Sequence, residues 1–174
     1  MKKILLITTL LLMTSVVFSQ TSEAKQRSKL PAVDLKTMDG EPFNTSNISN
    51  DGKPIILSFW ALWCKPCIRE LNTISEVYDD WVDETGVKLI AVSIDDTRSS
   101  SQVTTFANGN AWDYEILLDP NGDFKRAMNV NLIPHTFLID GNGNIVWQHT
   151  SFSEGSELEL IDNVRKVANG ESLD

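Results

Sequence analysis

The chain has 174 residues, with 24 acidic against 15 basic side chains, a formal charge of −9 and only two cysteines. No stripe of Lys or Arg interrupts that acidic balance, which argues against nucleic acid or an anionic membrane surface as partner. Two cysteines in a chain of this size also argue against a disulfide-stapled scaffold.

The first twenty residues carry a short basic region, Lys2-Lys3, followed by an apolar run from Ile4 to Phe18. Val17-Phe18-Ser19 then supplies the small residues of an export-signal cleavage site. The run is short for a spanning helix of about 20 residues, and the polar stretch Gln20 to Lys29 follows it directly. We therefore expect a signal peptide over 1–19, a polar lead over 20–30 and one domain over 31–174. The mature protein is expected to be periplasmic or secreted. No cysteine near the cleavage site offers a lipidation point. Loss of Lys2 and Lys3 would leave 13 basic against 24 acidic residues.

Leu30 to Phe43 predicts two short extended pieces around the turn Met38-Asp39-Gly40. Asp51-Gly52-Lys53-Pro54 is a second turn, and Ile55 to Trp60 is too continuously apolar for an exposed strand. From Pro66 to about Glu84 the apolar positions Cys67, Leu71, Ile74, Tyr78 and Trp81 step by four and three, predicting one helix with a buried face. Val87 to Ile94 predicts a second central strand. A short helix is expected around Gln102 to Ala107, a strand at Tyr114 to Leu118 and a helix at Asp123 to Met128. Thr136 to Ile139 and Ile145 to His149 form a hairpin around Asp140-Gly141-Asn142-Gly143. Ser156 to Ala168 closes the chain as a helix. This order implies one α/β sheet covered on both faces.

The two cysteines stand at Cys64-Lys65-Pro66-Cys67, where the apolar strand gives way to the helix. Thiols at i and i+3 on a first helical turn can close and reopen a small disulfide ring, and a helix N-terminus stabilises the attacking thiolate. A structural disulfide usually closes a longer loop, since a two-residue loop restrains little chain entropy. Redox chemistry is favoured. Lys65 adds positive charge beside Cys64, and Pro66 costs little in a first turn because its missing N–H would be unpaired there anyway. Glu70 falls inside the apolar arc from Val77 through Ile74 to Leu71. There it is either placed for a proton relay to the thiols or is a helix-dipole glutamate reaching water.

Ser58-Phe59-Trp60-Ala61-Leu62-Trp63-Cys64-Lys65-Pro66-Cys67 resembles the F-W-A-x-W-C-x-P-C signature of thioredoxin-like proteins. Ile133-Pro134, just before a strand, resembles their cis-proline step. The N-terminal extension, the Asp95 to Pro120 insertion and Phe137-Leu138-Ile139-Asp140-Gly141 resemble the TlpA/ResA branch of exported thiol–disulfide oxidoreductases, within the AhpC/TSA-redoxin superfamily. The likeness spans about Pro31 to Ala168. It implies a thioredoxin-like α/β fold: a central mixed sheet with helices on both faces, an N-terminal β extension and an αβ insertion. It also implies that Cys64 is the exposed attacking thiol, that Cys67 is the shielded resolving thiol, and that Glu70 is functional, in the pattern C-x-x-C-x-x-E. Trp63, Lys65, Pro66, Ile133 and Pro134 would meet the substrate. The implied partners are protein disulfides and a membrane thiol donor of a reductive pathway such as cytochrome c maturation. A monomer without cofactor is expected.

One departure matters. Thioredoxins proper carry a buried aspartate in the central strand where this chain has Ser58, which leaves proton transfer to Glu70 or water. A peroxidase is disfavoured, because Leu57 and Ala61 stand where the related peroxiredoxins carry Pro and Thr or Ser. Two alternatives remain: a metal-binding relative, either with zinc on the two-Cys, two-His set Cys64, Cys67, His135 and His149 or as a copper chaperone, whose usual C-x-x-x-C differs from the C-x-x-C here; and a binding module with an incidental disulfide.

Overall fold

The computed structural model describes residues 28–173. The expected signal segment and most of the polar lead therefore lie outside the described residues. Seven strands form one sheet: β1 (Asp34–Thr37), β2 (Pro42–Asn44), β3 (Ile55–Trp60), β4 (Lys88–Ser93), β5 (Glu115–Leu118), β6 (His135–Ile139) and β7 (Ile145–Thr150). Their spatial order is β2-β1-β5-β4-β3-β6-β7. β3, β4 and β5 run parallel, and the remaining neighbours pair antiparallel.

Strand β3 is buried along its whole length because it sits between β4 and β6 with both faces covered. Its alternate residues serve two cores. Ile56 and Trp60 join Leu89, Ala91 and Leu138 on one face; Ile55, Leu57 and Phe59 join Ile90, Val92, Phe137 and Ile139 on the other. Each fully buried Leu or Ile contributes about 1.5–3 kcal/mol, so this strand is the main apolar anchor.

Helices α1 (Lys65–Ser75), α2 (Tyr78–Thr85), α3 (Ser100–Gly109) and α5 (Ser156–Ala168) supply apolar side chains to the first core. The second face is covered by the short α4 (Asp123–Ala127), through Phe124 and neighbouring Met128, and by Leu30, Val33, Phe43 and Ile48 of the N-terminal extension. Both faces are covered as expected, but helices dominate only one of them.

The single helix predicted from Pro66 to Glu84 is broken. α1 ends at Ser75, and Val77 leaves the helical region at φ −126° and ψ 5°. No Gly or Pro causes this. Ser75 Oγ donates to the Asn72 carbonyl, and the Val77 N–H bonds three residues back, to Ile74. Both bonds tighten the last turn and compete with the regular ladder. The new direction lets the Tyr78 hydroxyl accept from the Leu89 N–H of β4 at 2.9 Å. Gly86, at φ +67°, caps α2 in the left-handed region that glycine tolerates. Helix α3 is longer than the expected 102–107.

His135 is buried on the second face, stacked on Phe137 with centroids 4.3 Å apart. Burial pushes its imidazole below the ordinary histidine range. The folded state therefore binds this proton less readily than the unfolded chain. The stability it contributes is present above about pH 6.5 and is lost as pH falls through the folded value. His135→Phe, which keeps the stack, should reduce the fall in Tm between about pH 7 and pH 5. An unchanged fall would assign acid sensitivity to other groups.

Candidate active site

The chain leaves β3 at Trp60 and reaches α1 through Ala61 to Cys64, a loop held from both ends. At the far end, Cys64 is the N-cap of α1, and its Sγ accepts from the Cys67 N–H at 3.3 Å. Near the strand, the Leu62 N–H donates to Asp95 Oδ2 at 2.9 Å. Asp95 is itself buried just beyond β4 and takes the Ser93 hydroxyl at 2.9 Å. Under the loop, Trp60 meets Trp112 edge-on at 5.0 Å, and Trp112 donates through Nε1 to Asn72 Oδ1 of α1. The loop thus hangs between a carboxylate, an aromatic cluster and the first turn of a helix.

Cys64 and Cys67 are joined as a disulfide with Cα atoms 5.3 Å apart. The expectation of an exposed Cys64 needs correction: in this oxidised form it is 5 % exposed, against 0 % for Cys67. Only a small part of Cys64 reaches solvent. Trp63 beside it is 69 % exposed, whereas Trp60 is fully buried. Lys65 is exposed, while Pro66 and Ile68 are half-buried. The Ile133-Pro134 bond is cis. Pro134 leads into β6, whose His135 pairs with Phe59, and Ile133 packs against the core cluster that contains both cysteines. Leu132, next in line, is as exposed as Trp63.

Glu70 does not reach water. It is 1 % exposed and faces the sheet. Its Oε2 accepts from Ser58 Oγ of β3 at 3.2 Å. Its Oε1 lies 2.9 Å from the donating Thr136 Oγ1 of β6 and 3.1 Å from His149 Nε2 of β7. Burial together with the carboxyl of Glu70 and the phenol of Tyr78 pushes the nearby Tyr114 hydroxyl far above the ordinary tyrosine range, with burial the largest cause. Tyr114 itself donates to the Leu71 carbonyl of α1 at 3.3 Å.

Sequence reasoning missed Asp95 and Thr136, and it weighed His149 only as a metal ligand. The four-residue metal set is not assembled. His149 pairs in register with Thr136 and turns to Glu70 on the first face, while His135 stacks with Phe137 on the second. Among the described residues no group of three or more His, Cys, Asp or Glu is arranged to hold a metal ion.

The chain combines a strand–loop–helix unit carrying Cys-x-x-Cys at the helix start with a cis Ile133-Pro134 bond at the start of β6. Residues 27–148 match the AhpC/TSA family. The chain belongs to that family. It is 33% identical over 147 residues to sporulation thiol-disulfide oxidoreductase A of Bacillus subtilis, covering 83% of this chain and 87% of the relative. It is 32% identical over 128 residues to thiol-disulfide oxidoreductase ResA of Geobacillus kaustophilus, covering 74% and 71%. A thioredoxin-like protein of Porphyromonas gingivalis superposes with TM-score 0.73 at 58% identity, over 80% of this chain and 92% of that one. The fold and the named relatives place this member of the family among the thioredoxin-like thiol–disulfide oxidoreductases.

Asp95→Ala should destabilise the oxidised protein by about 1–3 kcal/mol, because the Leu62 N–H and Ser93 hydroxyl lose their acceptor. Asp95→Asn, which keeps an oxygen there, should cost less. Urea denaturation of both variants checks the strut, and equal losses would deny it.

Proposed function

We propose that this protein is an exported disulfide reductase acting on protein disulfides through Cys64 and Cys67. The observation that carries the reading is the placement of the disulfide. It closes the first turn of α1 with Cys64, not Cys67, touching solvent beside exposed Trp63, and Ile133 of the cis-proline step packs against the same core cluster. The N-terminal basic-then-apolar sequence supports export over 1–19 and a mature domain over 31–174.

In the reduced state the Cys64 thiolate is favoured by the N-terminus of an eleven-residue helix, by the Cys67 N–H and by the adjacent Lys65 charge. Its sulfur attacks one sulfur of the partner disulfide, and the partner's other sulfur leaves as thiolate. Cys67 then gives up its proton, its sulfur bonds to Cys64, and the mixed disulfide breaks with release of the second partner thiolate. Two electrons pass from this protein to the partner. Glu70, one turn beyond Cys67 on α1, takes the Cys67 proton in this reading, which its burial among hydroxyls and an imidazole supports. Trp63, Lys65, Pro66, Ile133 and Pro134 frame the approach of an extended partner segment. A membrane thiol donor restores the dithiol.

Alkylation of the reduced protein near neutral pH should modify Cys64 first, and a Cys67→Ser variant should accumulate mixed disulfides through Cys64. Preferential labelling of Cys67 would reverse the two roles. The reduction potential should lie nearer the about −270 mV of thioredoxin than the about −120 mV of DsbA. A value near the latter would make the protein an oxidant.

A further inference from the structure

A carboxyl that takes a proton from Cys67 must return it to solvent, and Glu70 has no surface of its own. Two of its partners, Ser58 and Thr136, are fully buried hydroxyls that also lie 3.0 Å from each other. They lead no further. The third partner is His149, on the edge strand β7, whose side chain retains 18% exposure against 2% for Glu70. The imidazole also lines an open cavity of about 260 Å³, with Ser153, Ser156 and Glu159 on its rim. Trp147 packs edge-on against the ring, with centroids 4.8 Å apart, and holds its orientation. Glu70 follows Cys67 by three residues on α1, and from its carboxyl a direct contact leads through His149 to this cavity, on the side of β7 next to α5.

We propose that His149 is the positioning residue of Glu70 and its proton outlet, passing the redox proton between the buried carboxyl and solvent in that cavity. The inference rests on the reading that Glu70 takes the Cys67 proton. When Cys67 resolves the mixed disulfide, its S–H proton goes to Glu70 and its electron pair forms the bond to Cys64. The Cys64–partner bond breaks and the partner leaves as thiolate. The proton on Glu70 Oε1 then moves to His149 Nε2, and the ring releases its Nδ1 proton to water. Recharging by a donor dithiol runs the same transfer inward, which restores the starting tautomer.

The surroundings suit a transfer confined to these two groups. Glu70 faces Ser58 of β3, Thr136 of β6, His149 of β7 and Tyr114. The phenol of Tyr114 keeps its proton. Around His149 stand Glu70, Trp147, Glu159 of α5 and His135 of β6. His135 lies on the far face of the sheet, and burial disfavours its protonation.

The test is single-turnover oxidation of the reduced protein by a peptide disulfide, followed from about pH 5.5 to 8.5 in Glu70→Gln, His149→Gln, His149→Ala and the Glu70→Gln/His149→Gln double variant. Glu70→Gln and His149→Gln should each slow the reaction by about tenfold near neutral pH and flatten its pH profile. The double variant should be no slower than Glu70→Gln, because both act on one transfer. Added imidazole should restore His149→Ala by occupying the vacated site. His149→Gln keeps a polar group toward Glu70, so it carries the test if the alanine variant does not fold. A slowed Glu70→Gln beside a wild-type profile in His149→Gln, or additive losses in the double variant, would overturn the outlet and leave the Glu70 mechanism standing. A wild-type profile in Glu70→Gln would overturn the mechanism itself.

Discussion

A carboxyl group enters an apolar interior only where other groups replace its lost water, and the burial of Glu70 sets this constraint on the whole first face of the sheet. Its two oxygens draw on side chains from β3, β6 and β7, three strands adjacent in the order β3-β6-β7. Each such bond contributes about 0.5–1.5 kcal/mol net, but leaving one end unpaired costs about 1–3 kcal/mol. That asymmetry fixes the rotation of α1 about its axis. Cys67, three residues earlier on the same helix, is fixed with it, and the thiol pair inherits a geometry set by the sheet below.

A second carboxylate completes the suspension. Asp95 receives the Leu62 N–H just before the motif, so the loop is tied to the end of β4 while the helix is tied through Glu70 to β3, β6 and β7. Between the ties lies the aromatic group of Trp60, Phe106 and Trp112. Among the described residues, the buried Trp60 Nε1 has no hydrogen-bond partner. Its edge-on contact with Trp112, together with full burial of the indole, offsets that loss. A loop held this way can cycle between dithiol and disulfide without losing its path.

Much of this was legible in the sequence, and what was missed has a common cause. The continuous apolar run Ile55 to Trp60 and the expected strand Val87 to Ile94 both lie centrally in the sheet, and their alternate residues divide between the two cores. The closing helix falls at Ser156–Ala168 as periodicity predicts. The break at Val77 was hidden because Ile74, Tyr78 and Trp81 keep helical spacing across it. The partners of Glu70 were hidden for a different reason. Thr136 lies 66 residues away and His149 lies 79, and only the strand order brings them under α1. Nor could the spacing of His135 and His149 reveal that they face opposite ways. A hairpin turn and a register shift between Leu138 and Ile139 intervene and break the alternation.

Ser58 makes sense in the same frame. The central strand of thioredoxins proper carries a carboxylate at the corresponding place, whereas here the helix supplies it and the strand supplies a hydroxyl 3.2 Å away. A carboxylate at position 58 would crowd a like charge against Glu70, which disfavours ionising both. Strand hydroxyl and helix carboxyl are therefore one coupled choice. Moving the acid from strand to helix also changes its reach. From β3, between β4 and β6, a side chain at position 58 has no neighbour on the sheet edge. From α1, Glu70 bridges β3 to the edge strand β7, where His149 meets solvent. The substitution that departs from the thioredoxin pattern is thus the one that lets a fully buried acid touch a partly exposed base.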